Sequence, residues 1–241
     1  MNTVSAKIML MNGDLDEKLA YLYACPIEEA VLHRERLINA IEKFEELFGV
    51  SREISIFSAP GRTEIGGNHT DHQLGRVLAA SVNLDVVAVV SENDSNLIRV
   101  KSEGYPQDTV DISSLEVVEQ EKNTSAALIR GMCSRFRQLG YSTGGFDAYT
   151  TSNVLQGSGL SSSASFEVLL GTAMNALFCG GKETSLSIAQ ISQYTENVYF
   201  GKPSGLMDQS ASSIGGFITI DFENREAPRV ERIAFDFAHC G

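Results

Sequence analysis

The chain is poor in cysteine, in positive charge and in long apolar runs, and each shortage argues against a class of function. Cys25, Cys133, Cys179 and Cys240 are scattered over 241 residues, with no CxxC pair and no Cys/His cluster. That argues against a zinc site or a disulfide framework and for reduced thiols in a cytosolic protein. Nineteen Lys and Arg face 31 Asp and Glu, a formal net charge of −12, and no basic run interrupts the excess. General binding to nucleic acid or to an anionic membrane is thereby disfavoured. A nucleotide is not, because backbone N–H groups in a local pocket can hold its phosphates. No apolar run reaches membrane-spanning length, and the first residues lack the charged-then-apolar pattern of a signal peptide, so a cytoplasmic location is expected. Internal repeats and low-complexity tracts are absent too. With 43% hydrophobic and 21% charged residues, the composition supports a sizeable buried core.

Periodicity gives a mixed pattern. Residues 1–25 are weakly patterned and read as an extension or a short helix. Leu37, Ile41, Phe44 and Phe48 recur at helical spacing within 28–48, with Gly49 at the C-terminal stop. Residues 53–58 alternate as a strand, with Ile54 and Ile56 on one face, and Ala59-Pro60-Gly61 is expected to break it. Val- and Ala-rich 77–91 reads as one or two strands, 93–96 as a turn and 97–101 as a strand. A helix over 123–139 and a strand over 146–152 follow. Helices are expected over 161–178, ended by Gly180-Gly181, and over 184–199, capped by Thr184. Strands are expected from Phe217 to Phe222 and from Val230 to Phe235. Strict βαβ alternation is absent, so the fold class is α+β. The stop at Phe237-Ala238-His239-Cys240-Gly241, soon after a strand, reads as a cut.

Three segments carry the chemistry. Gly157-Ser158-Gly159-Leu160-Ser161-Ser162-Ser163 has the composition of an anion-binding loop opening a helix: glycines let the backbone approach, and a helix N-terminus offers free N–H groups and a positive dipole end. It has neither the Walker lysine nor a GxGxxG pattern. A plain Gly/Ser turn capping an ordinary helix has the same composition. Glu196 and Asp208 lie at the end of a predicted helix and in the turn Gly205-Leu206-Met207-Asp208-Gln209 after it. One carboxylate suits magnesium and one suits a base, although each alone is as readily a solvated surface acid or a cap. Arg62, Asn68, His69, Asp71 and His72 crowd a Gly-rich loop between two predicted strands, a density of polar groups that suits a sugar. Metal binding by His69, Asp71 and His72, or a polar loop that satisfies its own backbone, are the alternatives.

Together the three segments resemble the galactokinase branch of the GHMP small-molecule kinases, over roughly residues 28–235. Gly61-Arg62 with Gly67-Asn68-His69-Thr70-Asp71 resembles the galactokinase signature, Gly157 to Ser165 the family's phosphate loop, and Ser204 to Gln209 its catalytic turn. The resemblance implies the ribosomal-protein-S5-domain-2-like α+β fold of a GHMP N-terminal domain over 28–241, an extension over 1–27, and a C-terminal GHMP domain missing from this chain. It implies ATP and Mg2+ as cofactors. Asp208 matches the catalytic carboxylate and Arg62 the arginine beside it. Arg62, Glu64, Asn68, His69, Asp71, Gly205 and Asp208 match sugar-contacting positions. Gly157, Ser158, Gly159, Leu160, Ser161, Ser162 and Ser163 match the ATP loop, and Ser163 and Glu196 the magnesium position.

Three departures stand out. Asn68 replaces the signature's Glu, Glu64 replaces its Asn, and Leu155 replaces the usual Pro ahead of the phosphate loop. The implied activity is phosphorylation of the anomeric hydroxyl of galactose or a close relative. A non-catalytic sugar sensor on the same fold and a GHMP kinase for another small alcohol, such as mevalonate or homoserine, are the competing readings. The small-molecule sugar and ATP are the expected partners, nucleic acid and membrane are not, and self-association is expected through the face left by the missing domain.

Overall fold

The computed structural model describes residues 1–155, 157–224 and 227–234; the side chains of Asp71 and His72 lie outside that description. Seven helices and seven strands are present among the described residues: α1 (Thr3–Met11), α2 (Asp16–Tyr23), α3 (Ala30–Phe48), β1 (Ser55–Gly66), β2 (Arg76–Asn93), β3 (Leu97–Ser102), β4 (Gln107–Asp111), α4 (Ser125–Gln138), β5 (Gly145–Ser152), α5 (Ser162–Phe178), α6 (Ser185–Thr195), α7 (Met207–Ile214), β6 (Phe217–Asp221) and β7 (Arg229–Ile233). The α+β class stands. The chain forms two compact units. One comprises Met1–Ser58, Val87–Ser114 and Gly144–Ser152; the other comprises Ala59–Val86, Leu115–Thr143 and Asn153–Gly241.

In the first unit, β3 pairs antiparallel with β4 and parallel with β5. Helix α3 buries Ala30, Leu37, Ala40, Ile41 and Phe44, and the three- and four-residue steps from Leu37 to Phe44 follow the helical period read from sequence. Gly49 ends it at φ +97°, a conformation that favours glycine. Residues 1–25 form two helices, and Ala6, Leu10 and Leu19 join Ile41 and Phe44 in one core cluster. Their sequence pattern is weak because most of their remaining residues face solvent. Asp147 on β5 is fully buried and meets Arg99 and Arg52, an arrangement that compensates a charge otherwise costly to bury.

In the second unit, β2 pairs antiparallel with β6, Val77 opposite Ile220 and Ala79 opposite Ile218, and β6 pairs antiparallel with β7. Those inward residues meet Leu206, Met207 and Ala211 in one apolar cluster. Helix α5 is buried almost all round from Ala164 to Asn175, which accounts for its apolar run.

Four expectations are corrected. Ala59-Pro60-Gly61 does not break β1; the strand runs through to Gly66. The Pro60 carbonyl accepts from the hydroxyls of Ser165 at 2.9 Å and Ser212 at 2.6 Å, so side chains satisfy a group that turn statistics would leave to solvent. Arg62 therefore lies on a strand, not in a loop. The expected 184–199 helix ends at Thr195 and continues as a π turn, Glu196–Phe200. Asp208 sits in the first turn of a helix, α7, rather than in a turn. Strand β4 had no sequence signal strong enough to place it. Thr184 does cap α6, accepting from the Ser187 N–H at 3.1 Å.

Candidate active site

The phosphate loop, the end of β1 and the start of α7 all belong to the second unit, and they converge on Asp208. Gly61 sets how closely β1 approaches the loop. A Cβ there would lie 3.0 Å from the Leu160 carbonyl oxygen and 3.2 Å from the side chains of Val154 and Val82. The approach lets the Arg62 N–H donate to Leu160 O at 3.0 Å and the Arg62 Nη1 donate to Gly159 O at 2.7 Å. The rest of the guanidinium grips Asp208: Nε donates to Oδ1 and Nη2 to Oδ2, both at 2.7 Å. Arg62 is 8% exposed, so this is a fork-to-fork pair with little solvent to screen it. Ser161 Oγ adds a third donor, 2.6 Å from Oδ2. Burial pushes the Asp208 carboxyl up, but the Arg62 and Ser161 hydrogen bonds and the Arg62 charge outweigh it. The group sits below its usual range and is ionised at neutral pH.

Ser161 is the residue before α5, in the left-handed region at φ 59°, ψ 59°. Its hydroxyl is turned to Asp208, and α5 has no side-chain cap. The first N–H groups of a 17-residue helix are therefore left for another acceptor. Gly157 and Gly159 lead into it at φ +77° and +78°, with open space where a Cβ would lie. Ser158 Oγ donates to Leu155 O at 2.6 Å and folds the loop on itself. Together, bare helix N–H groups and an unobstructed glycine backbone are what a polyphosphate needs.

A recess of about 180 Å³ opens beside this point, lined by His69, Ser161, Ser163, Glu196, Lys202, Pro203, Ser204, Gly205, Asp208 and Gln209. Glu196 stands at the start of the π turn, 2% exposed. The N–H groups of Gly201 and Lys202 both donate to its carbonyl, at 3.0 and 3.2 Å, and the widened turn closes there. Its carboxylate accepts from Gln209 Nε2 at 2.9 Å and from Lys202 Nζ at 3.0 Å. Ser163 and Glu196 both line this recess. A hydroxyl plus a carboxylate is a donor set that suits Mg2+ when phosphate oxygens and water complete the shell. Among the described residues no group of three or more His, Cys, Asp and Glu could hold a metal without such help.

On the sugar-signature side, Asn68 and His69 are consecutive left-handed residues at φ 52° and 51°. Asn tolerates that region better than Glu does. Glu64, reaching from β1, accepts from the His69 N–H at 2.8 Å and meets His69 Nε2 at 3.0 Å. The exchanged Glu64 therefore clamps the loop that Asn68 bends. Asp71 and His72 lie outside the described side chains, so neither their sugar nor their metal reading is carried further.

The sequence reading missed three residues here. Glu167 of α5 is fully buried and bound to Gln209 Nε2 at 3.2 Å. Burial, reinforced by the nearby Glu196 carboxylate, pushes its carboxyl well above the ordinary range. The only signal was an acid inside the run Phe166, Val168, Leu169, Leu170. Gln209 closes the Gly205–Gln209 motif, which assigns it no role, and Lys202 is a lone cation between Gly201 and Pro203 with no local signal.

Residues 127–216 match the family model for the GHMP kinases N terminal domain, and residues 42–92 match the galactokinase galactose-binding signature. The fold and the site thus define a GHMP kinase N-terminal domain. Galactokinase from Streptomyces coelicolor is 36% identical over 172 residues, 71% of this chain and 44% of that protein. Galactokinase from Lactococcus lactis subsp. lactis is 31% identical over 188 residues, 77% and 47%. The crystal structure of Lactococcus lactis galactokinase complexed with galactose superposes with a TM-score of 0.74 at 28% identity, covering 83% of this chain and 53% of that one. The chain belongs to the galactokinase family of the GHMP kinases. It spans about half the length of the curated relatives it matches. A D-glycero-D-manno-heptose 1-phosphate kinase from Bacteriodes thetaiotaomicron, TM-score 0.64 at 21% identity, shares the fold. Among the described residues, no helix is long and apolar enough to cross a membrane.

Proposed function

We propose that the protein is a sugar 1-kinase, transferring the γ-phosphoryl group of ATP to the anomeric hydroxyl of galactose or a close relative. The observation that carries the reading is the Arg62–Asp208–Ser161 contact, which fixes an ionised carboxylate between the uncapped N-terminus of α5 and the sugar-signature loop. ATP phosphates would lie on the N–H groups of Gly157 to Ser163, and residues 28–241 would make up the sugar- and ATP-binding domain. Ser163 and Glu196 would hold Mg2+, which when bound neutralises charge on the phosphates.

Asp208 is a weak base because its proton affinity is lowered. That suits a loose phosphoryl-transfer transition state, where the hydroxyl becomes acidic as its oxygen bonds to phosphorus. As that O–P bond forms, the bond to the ADP oxygen breaks and the proton passes to Asp208. Arg62 holds the carboxylate in line and stabilises charge developing beside it. His69, Gly205 and, by position, Asn68 would orient the sugar hydroxyls, with Glu64 holding His69 in place.

The test is Asp208→Asn in the intact protein. It keeps shape and removes base and charge, so kcat should fall by about two or more orders of magnitude while sugar binding persists. Near-normal kcat in a well-folded variant would show that Asp208 is not the base.

A further inference from the structure

Glu196 has both carboxylate oxygens occupied, by partners of different kinds. Oε2 accepts from Gln209, which is 1% exposed and whose same Nε2 also serves buried Glu167. Moving Gln209 would strip two buried carboxyl groups of a partner at once, at high cost. Oε1 accepts from Lys202, whose side chain is 58% exposed while that of Glu196 is 3% exposed. The Lys202 stem is anchored at its own backbone, through the N–H bond to the Glu196 carbonyl, on a bend set by Gly201 at φ +87°. So one oxygen of Glu196 is fixed, and the other is held by a tethered, solvent-facing ammonium that can leave.

A buried carboxylate needs a cation. We propose that Lys202 is the resident counter-ion of Glu196, and that a divalent cation binds by displacing its ammonium from Oε1. This rests on the reading of Ser163 and Glu196 as the metal position. The ammonium lowers the cation's apparent affinity in proportion to its own occupancy of Oε1. Once displaced it stays in the recess on its tether, where phosphate oxygens give it a new partner. Metal and nucleotide then favour each other's binding.

The experiment uses Mn2+ alone, without nucleotide, on the 241-residue chain, with binding read by water-proton relaxation and stability by thermal unfolding. Lys202→Met should bind Mn2+ at least about fivefold more tightly. It should also melt below the parent protein without Mn2+, because Glu196 has lost its counter-charge, and the gap should close in saturating Mn2+. Unchanged or weaker binding, or a gap that persists in Mn2+, overturns the proposal. If Lys202→Met does not fold, Lys202→Arg carries the test: its forked cation should hold Oε1 harder and weaken Mn2+ binding, and equal or tighter binding overturns the idea. Glu196→Gln separates the two claims. Wild-type Mn2+ binding in that variant sinks the metal reading itself, whereas loss there with no change in the Lys202 variants sinks only the displacement.

Discussion

A forked arginine does two things for Asp208 that a lysine could not: it sets both oxygens, and with its third nitrogen it ties them to the Gly159 carbonyl. Arg62→Lys should therefore fold, yet lose roughly 10- to 100-fold in kcat with a smaller change in sugar KM; equal losses in both would recast Arg62 as a binding residue. Half-buried Asp208 and fully buried Glu167 give opposite pH signatures. Asp208 has a folded pKa below its unfolded value, so its stabilisation is present above about pH 3.9 and is lost as pH falls through the folded pKa. In urea unfolding, the stability difference between the parent and Asp208→Asn should be flat near neutrality and shrink below that pH. Glu167 has a folded pKa above its unfolded value, so the folded state holds a proton that the unfolded state gives up above about pH 4.3. Stability through this group falls as pH rises from there towards the folded pKa. Glu167→Gln, with no proton to lose, should gain on the parent as pH rises over that window, and a gap that does not change with pH would contradict the raised pKa.

At the scale of elements, α5 is where sequence and structure meet most directly. Its start is uncapped and glycine-led, and its interior is apolar because the helix is buried. Gly159→Val puts a branched side chain at φ +78°, costing about 1–2 kcal/mol locally, and sets it where phosphate must approach. The variant should stay folded and lose most of its ATP–Mg affinity in a calorimetric titration; normal binding would remove the loop from the nucleotide site. Thr184→Ala is the contrast. It removes the α6 cap and should cost about 1 kcal/mol of stability with little change in turnover. Helix α3, with its clear apolar period, and α5, with its long apolar run, were legible in the sequence to within two residues. The misreadings share a cause: tertiary partners overrode local rules. Pro60 stays in a strand because Ser165 and Ser212 satisfy its carbonyl. The stretch after Thr195 widens into a π turn. Asp208 enters a helix because Leu206 and Met207 are buried in the second unit's core.

Over the whole molecule, the site draws on residues as far apart as Arg62 and Asp208, and the three short motifs contain Arg62, Ser161, Ser163 and Asp208, which the fold brings to one place. The charge arrangement around them was not legible. Nothing local in the sequence says that Glu196 and Glu167 share one amide, that Lys202 folds back on Glu196, or that Glu64 reaches across to His69. That last contact makes the sugar the sharpest remaining test. Glu64 places both oxygens on His69, so under the proposed function the loop would meet a sugar with the Asn68 amide in place of the signature's carboxylate. An amide both donates and accepts, so it can still recognise a hydroxyl pair but without the charge that strengthens such contacts. Galactose should therefore bind, with discrimination against its C4 epimer glucose weaker than a carboxylate would give. A panel of monosaccharides read by thermal shift measures this without needing turnover. A ligand at a hundred times its Kd stabilises by about 2.7 kcal/mol, which for a chain of this size raises Tm by roughly 5–10 °C. Asn68→Glu should widen the gap between galactose and glucose. An identical ranking and spacing in the parent and Asn68→Glu would show that position 68 does not read the sugar, and no shift with any hexose would remove the sugar from the proposed function.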